Sequence, residues 1–130
     1  MKWILSVVLC LCGASHSMNA AYAGSKKATT PGVQARALGD LLYGAREYGA
    51  AAAAYARAWY LTRAPDLLWY TGLSHYHSGE FKESIRWLER FLALPEHVKA
   101  SKVAITSHRE SARALLKELY PVIRRKVFMT

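Results

Sequence analysis

The stretch Pro65–Pro95, PDLLWYTGLSHYHSGEFKESIRWLERFLALP, decides how the rest of this chain is read. Asp66 to His77 and Phe81 to about Leu94 each carry apolar residues at the three-and-four spacing of a half-buried helix. Between them stands Ser78-Gly79. Glycine enters the left-handed conformation after a helix without steric cost, so Gly79 marks a tight turn. In the second helix Phe81, Ile85, Leu88 and Leu92 form one stripe, and Pro95 stops it.

Shifted back by 33 residues, the same pattern reappears. Gly39 matches Gly72, Tyr43 matches Tyr76, Glu47 matches Glu80 and Tyr48 matches Phe81. Ala51 then matches Ser84, Tyr55 Leu88, Arg57 Arg90 and Leu61 Leu94. The period predicts an earlier helix carrying Leu38, Leu41, Leu42 and Ala45, a break near Arg46-Glu47, and a second helix from Tyr48 to about Thr62. Tyr48, Ala52, Tyr55 and Trp59 share one face of that second helix. The alanines from Ala50 to Ala54 favour helix and let a neighbour approach closely. Pro65 suits the first turn of the next helix, where its missing N–H is not needed.

Outside the repeat the chain divides by composition. Residues 1–23 join Lys2, an apolar run from Trp3 to Cys12, and the small-x-small Ala21-Tyr22-Ala23, which together read as a signal peptide cut after Ala23. The run is shorter than the roughly 20 apolar residues that span a bilayer. Leu9 and Leu11, not small residues, precede the two cysteines, which argues against a lipoprotein signal; an uncleaved anchor is the other alternative. Residues 24–32 read as a polar, flexible linker. Residues 33–63 and 64–95 are the two repeat units. Residues 96–120 form a basic helix with Val98, Ile105, Ala112, Leu115, Leu116 and Leu119 on one face. Pro121 is expected to break or kink it, leaving residues 121–130 as a basic tail.

Eighteen Lys and Arg against nine Asp and Glu give a formal charge of +9. Such a surface favours anionic partners: lipid headgroups, cell-wall polymers, acidic proteins or nucleic acid. An exported location excludes nucleic acid. Both cysteines, Cys10 and Cys12, lie in the leader, so the expected mature chain has neither disulfide nor cysteine metal site. His75 and His77 sit two apart on a helix and point to different faces, whereas chelation wants a spacing of three or four. Neither a metal nor another cofactor is expected. No nucleophile, base and orienting group fall on a shared face, so the chain is read as no enzyme.

These residues resemble the tetratricopeptide repeat family, whose unit is a helix-turn-helix of about 34 residues. The family's small crossing residue corresponds to Gly39 and Gly72, and its turn glycine to Gly79. Its aromatic after the turn corresponds to Tyr48 and Phe81, its second small residue to Ala51 and Ser84, and its terminal proline to Pro65 and Pro95. Arg46 stands where the first unit should have its turn glycine. The resemblance implies an all-α fold: two repeats stacked in a short right-handed solenoid, with the fifth helix as a C-terminal cap. Self-association through an open end is the alternative to capping.

It also implies an exported, periplasmic scaffold that binds a peptide or protein partner of the cell envelope through its concave face. By matching position the groove residues are Arg36, Asp40 and Tyr43 in the first unit, and Trp69, Leu73, Tyr76 and His77 in the second. The competing reading packs Tyr43 and Tyr76 into the seam between helices. Lys99, Lys102, Arg109, Arg113, Lys117, Arg124, Arg125 and Lys126 are the candidates for contact with an anionic lipid or cell-wall surface. Against them stands the plain reading of a solvated helix face.

Overall fold

The computed structural model describes residues 29–95 and 102–128. Among these the chain is all helical: α1 (Pro31–Gly44), α2 (Tyr48–Thr62), α3 (Asp66–His77), α4 (Phe81–Leu92) and α5 (Lys102–Phe128). Each helix packs against the next in sequence, and α3 additionally touches α5. No described helix is long and apolar enough to cross a membrane.

The two hairpins, α1–α2 and α3–α4, close through the same turn. In the first, the Arg46 N–H donates to the Tyr43 carbonyl (3.0 Å) and the Glu47 N–H to that of Leu42 (2.9 Å). In the second, Gly79 donates to Tyr76 (3.1 Å) and Glu80 to His75 (2.9 Å). Every one of these residues has its counterpart 33 positions on. The linking residue is left-handed in both, at φ 62° for Arg46 and 82° for Gly79. Arg46 therefore adopts the glycine conformation without being glycine. The pair of bonds satisfies carbonyls that a helix C-terminus leaves open.

The crossings are equivalent too. A Cβ on Gly39 would stand 2.6 Å from the Tyr55 ring, and one on Gly72 would stand 2.8 Å from Leu88 Cδ2. Each crossing glycine is thus the floor for the large side chain that follows it by 16 residues. At the second crossing the Ser84 hydroxyl donates to the Gly72 carbonyl (2.8 Å). The other buried hydroxyls, Thr71 and Ser74, donate to Leu67 and Tyr70 carbonyls one turn back. No buried side-chain polar atom is left without a partner among the described residues.

Two clusters form the core. Ala35, Ala51, Tyr55, Ala58 and Leu67 join α1, α2 and α3. Leu68, Trp69, Trp87, Leu88 and Phe91 join α3 and α4 to Ala112, Leu116 and Leu119 of α5.

The helix boundaries differ from the sequence reading in two places. α1 begins at Pro31, inside the stretch read as linker, because Thr30 caps it by accepting from the Val33 N–H and Pro31 fills its first position. α5 runs through Pro121 to Phe128, so residues 121–128 continue the helix and are not a separate tail. Proline removes one helical hydrogen bond, here to the Lys117 carbonyl. Lys117 and Pro121 both lie at the surface, while Leu119 is buried and Ile123 half-buried on the packed side. The expected helix start at Val98, together with Lys99, lies outside the described residues.

Candidate functional site

The turn that closes each hairpin is flanked by an aromatic pair five residues apart, Tyr43 with Tyr48 and Tyr76 with Phe81. The reversal at Arg46 or Gly79 brings each pair together. Tyr43 and Tyr48 meet edge to face at 5.2 Å, and Tyr76 lies 6.1 Å from Phe81. His77, exposed at the end of α3, joins the two pairs. Its ring stacks on Tyr48 at 4.9 Å, and meets Tyr43 and Tyr76 edge-on at 5.9 and 5.4 Å. The result is one strip of five rings, Tyr48–Tyr43–His77–Tyr76–Phe81, across the turn end of both hairpins. Partial burial, and then the neighbouring Tyr48, raise the Tyr43 pKa and keep the phenol neutral.

At its Phe81 end the strip opens into a cleft of ≈ 500 Å³ between the start of α4 and the end of α5. Phe81 and Ile123 supply apolar lining, with Glu80, Lys82, Glu83 and Lys126 around them. The Lys126 ammonium lies 5.8 Å from the centre of the Phe81 ring, in cation–π range. Aromatic surface beside mixed charge is the composition of binding hot spots.

The seven groove candidates do not form one surface. Tyr43, Tyr76 and His77 meet in the strip. Arg36 is ion-paired to Asp66, and Asp40 accepts from the Tyr55 hydroxyl at 2.7 Å, so both tie α1 to its neighbours. Burial disfavours the Arg36 charge, but the hydrogen bond and charge of Asp66, with Asp40 and Tyr70 behind them, hold its pKa above the ordinary value. Leu73 is half-buried against the larger core cluster.

Trp69 is only 6% exposed. The cause is α5, whose His108 stacks on the indole at 5.2 Å with the rings 16° apart. It leaves a partner almost no indole surface. His75, read beside His77, instead turns to Glu80, with 3.1 Å between Nδ1 and the carboxylate.

The basic candidates separate likewise. Arg109 is half-buried and donates to the Leu94 carbonyl at the end of the α3–α4 hairpin. Arg113, Lys117 and Arg124 are exposed, and their spacing of four and seven places them on one face of α5. Arg125 is exposed on another face, and Lys126 faces Phe81. Of Lys102 only its place at the start of α5 is described.

Tyr48, Phe81 and Ile123 were not among the sequence candidates. A usable signal was present for the first two, since an aromatic pair straddling the turn recurs at the repeat interval. Nothing in the sequence places Ile123 in one cleft with Phe81, because that juxtaposition depends on how α5 docks.

Searched against protein-family models, curated proteins and solved structures, the chain returns no match.

Proposed function

We propose that this chain is a helical-hairpin interaction module rather than an enzyme. More particularly, we read it as a small exported scaffold of the tetratricopeptide type, with its leader cut after Ala23 and its working place in the periplasm. It takes an extended segment of an envelope protein. The aromatic strip from Tyr48 to Phe81 carries this reading, because it offers stacking surface continuous over both hairpins and ends in an open cleft. The equivalent turns at Arg46 and Gly79 and the crossings at Gly39 and Gly72 support the repeat assignment. Within the strip, His77 is exposed while the other four rings are half-buried, and Lys126 and Glu80 favour a segment of mixed charge.

The test is a crosslinking pull-down from the native envelope with wild type and with Tyr76→Ala/His77→Ala. Loss of one defined partner, with helical content retained, supports the reading. An unchanged partner profile from the double variant refutes the strip as the site. Mass spectrometry of the mature N-terminus checks export, for which a chain starting at Met1 is the contrary result.

A second reading rests on the exposed stripe Arg113–Lys117–Arg124. Near an anionic bilayer each such cation is worth about 1 kcal/mol. Charge reversal of Lys117 and Arg124 then releases the protein from anionic vesicles. Equal sedimentation of variant and wild type refutes this role.

A further inference from the structure

We infer that the extended segment taken by the aromatic strip is proline-rich and lies on it as polyproline II. The inference rests on the segment-binding role proposed above and names the chemistry of the segment.

Three hydroxyls decide it. The phenols of Tyr43, Tyr48 and Tyr76 have no hydrogen-bond partner among the described residues, where every buried side-chain polar atom has one. Each hydroxyl therefore reaches solvent, although its ring is half-buried. The exposed His77 imidazole among them likewise makes ring contacts and no hydrogen bond there. A ligand that covers the strip displaces water from these groups. It must then supply hydrogen-bond partners together with apolar contact, because a covered hydroxyl without a partner is costly.

The common modes of segment recognition differ on that point. An amphipathic helix engages its own backbone carbonyls and turns apolar side chains to its partner, so it offers the hydroxyls nothing. An added β-strand needs an open sheet edge, and no strand occurs among the described residues. Charge selects neither an acidic nor a basic segment, since Arg46 and Glu47 stand at one turn and Glu80, Lys82, Glu83 and Lys126 line the cleft. Polyproline II has no internal hydrogen bonds, so its carbonyls are free to accept from the phenols and the imidazole N–H. Its prolines carry no N–H that the strip would have to satisfy, and this helix docks on aromatic surfaces with little loss of entropy.

Spacing agrees with that occupant. From Tyr48 through His77 and Tyr76 to Phe81 the ring centres step by 4.9, 5.4 and 6.1 Å. Two residues of polyproline II advance about 6 Å, so one proline-containing pair spans each step. The cleft beside Phe81 and Ile123 then takes the apolar residue that follows.

The experiment is an NMR titration of the full chain with a capped oligoproline of about nine residues, roughly 28 Å long, followed on the Tyr and His ring signals. The expected result is saturable movement of the strip signals, and binding at least about 10-fold weaker for a glycine–serine peptide of equal length. Tyr48→Phe and Tyr76→Phe keep the rings and remove only hydroxyls that reach solvent, so the fold is retained. Each weakens oligoproline binding by about 2- to 10-fold. Tyr120→Phe, whose hydroxyl is held by Glu89, binds as wild type. Strip signals that stay in place to about 1 mM oligoproline, equal binding of the glycine–serine peptide, or Phe variants of the strip that bind as wild type each overturn the inference. So does an equal loss in Tyr120→Phe. Where oligoproline fails but Tyr76→Ala/His77→Ala still loses its envelope partner, the proline inference falls and the segment-binding role stands. Where neither responds, both fall.

Discussion

Replacing Arg46 by glycine is expected to stabilise this protein, because the first hairpin holds an L-residue in the backbone state that the second gives to Gly79. The left-handed conformation costs a residue with a Cβ roughly 1–2 kcal/mol. Against that, glycine's greater freedom in the unfolded chain costs about 0.5–1 kcal/mol. The difference leaves a net gain of about 0.5–1 kcal/mol. Arg46 is exposed and figures in no side-chain hydrogen bond or ion pair of the described residues, so little offsets it. For a domain of this size such a gain raises the thermal midpoint by roughly 2–8 °C. Far-UV circular dichroism on heating, with a urea titration in parallel, measures it. Gly79→Ala should move the midpoint down by a similar amount, since its φ of 82° persists whatever residue occupies it. The reasoning is refuted if Arg46→Gly lowers stability while Gly79→Ala also lowers it, for then the two turns are not energetically alike.

Three further outcomes follow from the packing. Gly39→Ala and Gly72→Ala should each cost about 1–3 kcal/mol by overpacking, read from urea midpoints, as the added methyl meets Tyr55 or Leu88. Trp69→Ala should cost about 3–5 kcal/mol and expose α5 to proteolysis before the hairpins. The third concerns alkaline pH. Burial first, then the hydrogen bond to Asp40, raise the Tyr55 pKa above the ordinary 10.0. The unfolded chain therefore loses that proton at a lower pH than the folded one, and the stabilising effect is complete below about pH 10 and lost above it. The thermal midpoint should hold level to about pH 9 and fall beyond 10, less steeply in Tyr55→Phe.

Much of the architecture is legible locally. The starts of α2, α3 and α4 at Tyr48, Asp66 and Phe81 follow from the period, from Pro65 and from Gly79, all of which act within a few residues. What could not be read is how α5 lies on the hairpins. Its buried face was visible in Ala112, Leu116 and Leu119, but a stripe says only that a helix is covered on one side. It does not say that His108 will land on Trp69, nor that Arg109 will reach the Leu94 carbonyl. Position matching therefore put Trp69 with the groove residues, although the docked helix buries it. Pro121 misled for a related reason. Its helix-breaking tendency is an average, and the packing of Leu119 and Ile123 on either side outweighs one lost hydrogen bond at the surface. At the strip, Tyr43, Tyr76 and His77 are all reached by position matching, but the ring contacts that join them depend on packing, since His77 reaches Tyr48 only because α3 packs beside α2.

The neighbour-on-neighbour arrangement of the helices also bears on time. Contacts that join consecutive elements close short loops, and chains dominated by them reach the native state on the order of microseconds to milliseconds. The crossing glycine, turn and covering side chain of each hairpin all lie within one period of 33 residues, although its apolar face is buried only by its neighbours. The slower event is the arrival of α5, which must find α3 and α4 at once and whose Arg109 closes the end of the second hairpin. Refolding should therefore show the hairpins assembling first. The environment of Trp69 should settle afterwards, so that residue times the last step.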